Sequence, residues 1–222
     1  MSALFPLLST SALSTSALST SALAQLTDQR TLWYLMRGTG IVVVALLTAA
    51  TALGVLSTVR PASAWWPRFA TQRLHRNVSL IAVTLLVVHV LTAVFHSYVS
   101  IGWLDVVVPF SGSYRPFWVG LGALAVDALL IVTVTSLLRH RMGHRSWRGT
   151  HLLAYLAWVF GVAHGLGIGT DARSPWAFDM TVLCIAVVCL AAATRLVTLA
   201  HDRRIRVSPR PAEHVRRRGV RV

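Results

Sequence analysis

Lysine is missing altogether: all 21 basic residues are arginines, and only seven residues are acidic. Charged residues make up just 13% of the chain against 55% hydrophobic, with a mean hydropathy of +0.64. That balance excludes a water-soluble globular domain and a disordered chain alike, and marks an integral membrane protein. Cysteine is scarce too. Cys184 and Cys189 lie five apart in one apolar run, so neither a CxxC redox pair nor a thiolate metal set exists, and both read as packing thiols. No glycine-rich loop follows a strand, so no dinucleotide or P-loop site is written into the chain. The net charge of +14 does not point to nucleic acid, because most of the arginines sit in loops between apolar segments. There they report topology and contact with anionic lipid. Arginine without lysine, beside abundant Ala, Val and Leu, fits a GC-rich bacterial genome and hence a bacterial plasma membrane.

What is present is a series of apolar runs. Spans are expected at about 32–57, 77–99, 117–138, 151–167 and 179–200, making an all-α integral membrane bundle of five helices. Residues 1–31 form a low-complexity Ser/Thr/Ala/Leu tail in which the pentad STSAL occurs three times; a helix there would make six spans. No positive region precedes it as a secretory signal requires. Residues 32–200 are the membrane domain and 201–222 an arginine-rich tail. Arg60, Arg68, Arg73 and Arg76 surround Pro61 and the Trp65-Trp66-Pro67 turn, four arginines lie in 139–148, and eight follow from Arg203. The other side has Arg30 or Arg37, Arg115 and Arg173. The positive-inside rule therefore puts the basic loops and the C-terminus in the cytoplasm. The second and fourth spans then both run outward.

Those two spans carry paired histidines: His75 and His89, fourteen apart, and His151 and His164, thirteen apart. An imidazole inside hydrocarbon is costly unless its nitrogens are claimed, so such residues are functional candidates. At 1.5 Å rise per residue each pair spans about 20 Å, one histidine near each face. Two axial ligand pairs, one haem per face, fit this spacing; four interior histidines satisfied by hydrogen bonds fit it as well. Fourteen residues leave His75 and His89 about 40° apart on a helix, whereas thirteen leave His151 and His164 about 140° apart. Ligation by both pairs therefore requires a local distortion of the fourth span, or haems offset sideways.

The pattern His-x13-His on one span, an intervening span, then His-x12-His on the next, with SWRGTHLLAYLAWVFGVAHGLGIGTD around the fourth histidine, resembles the ferric reductase-like transmembrane domain. Ferric reductases, NADPH oxidases and the haem subunit of a bacterial methionine sulfoxide reductase system share this domain. The likeness covers about 32–200. It implies two noncovalent b-type haems, held by His75 with His151 and His89 with His164, on two haem-ligating helices. It also implies electron flow from cytoplasm to exterior. Full-length members continue into flavin and nicotinamide domains, whereas this chain ends about 22 residues after Ala200, so unaided oxidation of NAD(P)H is not expected. Electrons would come from a separate flavoprotein, a quinol, or a flavin bound at the cytoplasmic face. The acceptor would be a ferric complex, dioxygen or a redox partner protein outside. With both axial positions filled, reaction would be outer-sphere at the haem edge.

Auxiliary candidates follow. His96, seven residues beyond His89, would relay a proton, contact a haem propionate, or simply be hydrogen-bonded at the interface. Asp127, mid-span, would be neutral and hydrogen-bonded across helices or handle protons near a haem. Trp158 lies between the two histidines of the fourth span, placed either to assist transfer or to pack. Arg148, with Arg139, Arg141 and Arg145, would attract flavin phosphate or an acidic partner, or merely enforce topology. Asp105 and Asp171, in the outer loops, would attract cationic iron or cap turns or helices. His140, His144, His201 and His214 read as solvated. Two readings compete with electron transfer: a non-catalytic haem-binding anchor subunit of a redox complex, and a proton-coupled transporter using Asp127 and the histidines.

Overall fold

The computed structural model of the protein describes residues 28–58, 68–169, 171 and 174–207. Outside them lie the repeats of the N-terminal tail, Arg60 with the Trp65-Trp66-Pro67 turn, Arg173, and the tail from residue 208 with His214. The described residues are helical, with no strand. In chain order the helices are α1 (Gln29–Leu56), α2 (Arg68–Phe95), α3 (Trp103–Val107), α4 (Pro116–Leu137), α5 (His144–His151), α6 (Leu153–Ile168) and α7 (Pro175–Val207). A short 3-10 turn, Arg139–Arg141, links α4 to α5. Five helical stretches are long and apolar enough to cross a membrane, with α5 and α6 together making the fourth. The chain is thus a multi-pass membrane protein.

Local sequence accounts for most boundaries. Asp28 caps α1 by accepting from the backbone N–H of Thr31 at 3.3 Å. Pro116 occupies the first turn of α4, where its missing N–H costs nothing. Several limits differ from the hydropathy reading: the first, fourth and fifth spans begin earlier, at Gln29, His144 and Pro175, and three differences bear on the candidate residues. The second span begins at Arg68, not near Asn77, because a helix can carry arginine in its interfacial turns. Arg73 lies over the Phe69 ring, 5.6 Å from its centre, so Arg68, Arg73 and Arg76 are helical and not in a loop. The same helix stops at Phe95, leaving His96 beyond its end. The last helix continues past Ala200 to Val207, through residues too polar to count toward the apolar span.

The fourth span is interrupted just after His151. At Leu152 the backbone N–H turns to Gly149 and Thr150 carbonyls at the end of α5, and α6 restarts at Leu153. The fourth span therefore departs from regular α geometry between its two histidines.

Helix α1 is central, packing along α2 and also against α6 and α7, while α4 packs chiefly on α6. Ala128, Leu129 and Ala157 form one core cluster with Leu47, Leu86 and Leu153 against them; Ala52, Val55 and Ala191 form another with Tyr155. Small side chains at these contacts let backbones approach, as packing without a hydrophobic driving force demands. Trp158 adds a polar tie: its indole N–H donates to the Thr48 hydroxyl at 2.9 Å, and that hydroxyl donates to the Val44 carbonyl at 2.8 Å. Thr48→Val should leave the indole unpaired and cost about 1 kcal/mol, seen as a lowered Tm in detergent. Adding Trp158→Phe to Thr48→Val should cost less than Trp158→Phe alone, which a double-mutant cycle measures.

Candidate functional site

The four span histidines come together in two pairs between α2 and the fourth span. His75 and His151 have ring centres 6.2 Å apart, and His89 and His164 have theirs 6.5 Å apart, with planes at 69° and 88°. The first pair lies at the basic end of the bundle, beside the α4–α5 link, and the second toward the opposite end.

Each imidazole is docked on a neighbouring helix. His75 Nδ1 lies 2.9 Å from the Ala50 carbonyl, His89 Nδ1 2.7 Å from the Met36 carbonyl, and His164 Nδ1 2.8 Å from the Trp118 carbonyl. A carbonyl only accepts, so in these three rings Nδ1 carries the proton and Nε2 keeps its lone pair. Four residues after each accepting carbonyl stands a glycine: Gly54, Gly40 and Gly122. A methyl group at Gly40 would lie 2.9 Å from His89 Cε1, at Gly122 2.7 Å from His164 Nδ1, and at Gly54 3.4 Å from His75 Cε1. Glycine thus clears the wall of the supporting helix where the ring lies against it.

The supports repeat. Gly40 and Gly54 are fourteen apart on α1, and on α4 the residue fourteen after Gly122 is Ser136. Ser136 meets the fourth imidazole, its Oγ 3.4 Å from His151 Nδ1. That ring is also stacked on Trp147, 5.1 Å between centres and 28° between planes. The signal was therefore present in the sequence as matched spacings on neighbouring helices, but only the packing of α1 on α2 and of α4 on α6 couples each glycine to its histidine.

Among the described residues no group of three or more His, Cys, Asp and Glu could hold a metal ion. Each imidazole pair would supply two ligands, facing each other across a gap. A metal–nitrogen bond of about 2 Å on each side, with about 1.2 Å from nitrogen to ring centre, puts the centres about 6.4 Å apart. The observed separations suit one ion between each pair if its other ligands arrive with a cofactor. Around the opposite-end pair lies a cavity of about 330 Å³, lined by Gly40, Val44, Leu86, His89, Val126 and His164. Its size falls within the range of small-molecule sites, and its walls are mostly apolar.

The remaining candidates are dispersed. His96 is buried in a separate depression with Gln29, Arg30, Trp33, Tyr34 and Tyr98; beyond the end of α2, it does not continue the helix face of His89. Asp127 is half-buried on α4 and is not among the residues that line the large cavity. Arg148, Arg139, Arg141 and Arg145 are exposed at the basic end. Asp105 accepts from the Gly102 N–H at 2.9 Å and the Ser111 hydroxyl at 3.0 Å, ordering its own loop. Sequence reasoning missed Arg37, which pairs with Asp171, lies over Trp33, and reaches the cavity wall.

Residues 31–171 match a family described as a domain of unknown function, DUF8596, and the chain belongs to that family. No curated protein and no solved structure matches the chain.

Gly40→Ala and Gly122→Ala should each displace the adjoining imidazole and destabilise the purified protein by about 1–3 kcal/mol, the usual cost of overpacking. Gly54→Ala, where the added methyl meets His75 at ordinary contact distance, should stay close to the wild type. Thermal melting of the three variants in one detergent checks the order.

Proposed function

We propose that the protein is a di-haem, b-type membrane cytochrome of ferric reductase-like architecture, moving electrons across the bilayer. The observation that carries this reading is the pair of facing imidazole couples, each at the separation a bis-histidine metal centre needs, with Nδ1 already committed in three of the four rings. A cofactor that brings its own four equatorial donors is the fitting occupant, because each couple offers two ligands. When bound at these residues, haem would supply a one-electron iron couple.

The chain's own residues do the rest. His75 and His151 would hold the group at the basic end, and His89 and His164 the one at the opposite end. The Ala50, Met36 and Trp118 carbonyls orient three of the rings and raise their basicity as ligands. Fourteen residues of unbroken α2 hold the two sites about 20 Å apart. The cavity wall beside His89 and His164 is mostly apolar and would suit the faces of a porphyrin.

By the positive-inside rule the basic end faces the cytoplasm, in a bacterial plasma membrane, and electrons enter there. The donor in this reading is a flavoprotein or a quinol. Arg139, Arg141, Arg145 and Arg148 supply the field that attracts an acidic partner or a flavin phosphate. The acceptor outside is a ferric complex, dioxygen or a redox protein, reached by outer-sphere transfer.

The purified full chain should contain two haems with a low-spin, reducible spectrum. His89→Ala and His164→Ala should each lose one haem, and His75→Ala and His151→Ala the other, while all four remain helical by circular dichroism. Full pigment and unchanged redox titrations in well-folded variants would reject the proposal, as would a folded wild type that binds no haem.

A further inference from the structure

Asp127 is the polar residue of the bundle that the paired-histidine site leaves without a task. It lies eleven residues after Pro116 and ten before Leu137, hence about 15 Å from either end of α4 and near the middle of a hydrocarbon core about 30 Å thick. Among the described residues no hydrogen bond or ion pair reaches its carboxyl. Leu130, Ile131 and Val134 lie within about 60° of it on the helix and are 60%, 45% and 43% exposed. This is the face α4 turns away from α6. Toward the opposite end the same stripe is closed: Ala123 is buried and the Phe110 ring covers Gly120. From Asp127 toward the basic end it is open to lipid, and a carboxyl facing hydrocarbon alone is expensive.

We infer that this face of α4 is the contact between two copies of the chain, with the two Asp127 side chains hydrogen-bonded to each other. The occupant follows from symmetry and chemistry. Two copies inserted in the same sense are related by a two-fold axis along the membrane normal, so along the open part of the stripe α4 meets its counterpart in parallel, and a residue facing the axis meets its own copy at the same depth. A carboxylic acid carries one donor and one acceptor and is complementary to itself in that arrangement. Leu130, Ile131 and Val134 then pack against the same apolar stripe of the other copy beside the pair. Helix α4 sits at the edge of the bundle, packed chiefly on α6, so the approach needs no rearrangement.

The test uses the full chain in phospholipid vesicles at high dilution, with Cys184→Ala and Cys189→Ala removing the native thiols. Ile131→Cys in this background should form a disulfide-linked dimer on mild oxidation. Leu190→Cys, equally lipid-facing on α7 at 68% exposure, should give at least fivefold less. Asp127→Leu should weaken dimerisation about tenfold, and Asp127→Asn, whose amide is also self-complementary, less than about threefold. Single-molecule subunit counting of the unmodified chain gives a second reading, independent of how any variant folds. Monomers at all dilutions, equal yields from Ile131→Cys and Leu190→Cys, or Ile131→Cys captured by a different protein in cell membranes would each overturn the proposal. None of these readings depends on haem.

Discussion

A histidine ring laid against the backbone of the next helix is the contact on which the rest of this bundle turns. Three times an imidazole N–H donates to a carbonyl of α1 or α4, with a glycine one helical turn further on each time, and at Gly40 and Gly122 a side chain would leave the ring no room. In hydrocarbon an unpaired ring nitrogen is costly, so these bonds bind helix to helix as well as setting the tautomer. They join α2 to α1 and α6 to α4 as two cassettes. The couples then form where the cassettes face each other.

The fourth position departs from the rule in an informative way. At Ser136 the support is a hydroxyl, 3.4 Å from the His151 ring, and the ring gains a stacked indole from Trp147. His151 also ends α5, immediately before the break at Leu152. The break and the changed support belong together. A continuous helix would turn His151 and His164 about 140° apart, and between them the chain tightens at Leu152 to i→i−3 hydrogen bonds, Leu152 N–H to the Gly149 carbonyl and Tyr155 N–H to the Leu152 carbonyl. The residue next to the break is then held by side chains instead of by a carbonyl of α4.

The polar residues outside the couples sort by depth. Asp105 and Arg115 order the loops at the end opposite the basic one, with Arg115 donating to the Gly167 carbonyl at 3.0 Å and so tying the start of α4 to the end of α6. Arg37 and Asp171 bridge α1 to the turn after α6, at the rim of the large cavity. Thr48 and Trp158 meet between α1 and α6 within the bundle. Among the described ionisable residues Asp127 is the one at mid-depth and turned outward, and that placement carries the inference of a second copy.

Five apolar stretches, the histidine spacings and the mismatch on the fourth span were all legible in the sequence, because hydropathy and the 3.6-residue period are local properties of a chain in lipid. Helix ends were less legible. Arg73 is helical, its guanidinium over the Phe69 ring, and His96 fell outside α2 because the helix stops at Phe95. The glycines at 40, 54 and 122 were visible as letters but not as supports, since spacing along one helix does not say which neighbour it faces. Tertiary packing decided that, by bringing α1 against α2 and α4 against α6. It also decided that Asp127 looks out of the bundle, because which side of a uniformly apolar helix is buried depends on its neighbours and not on its own pattern.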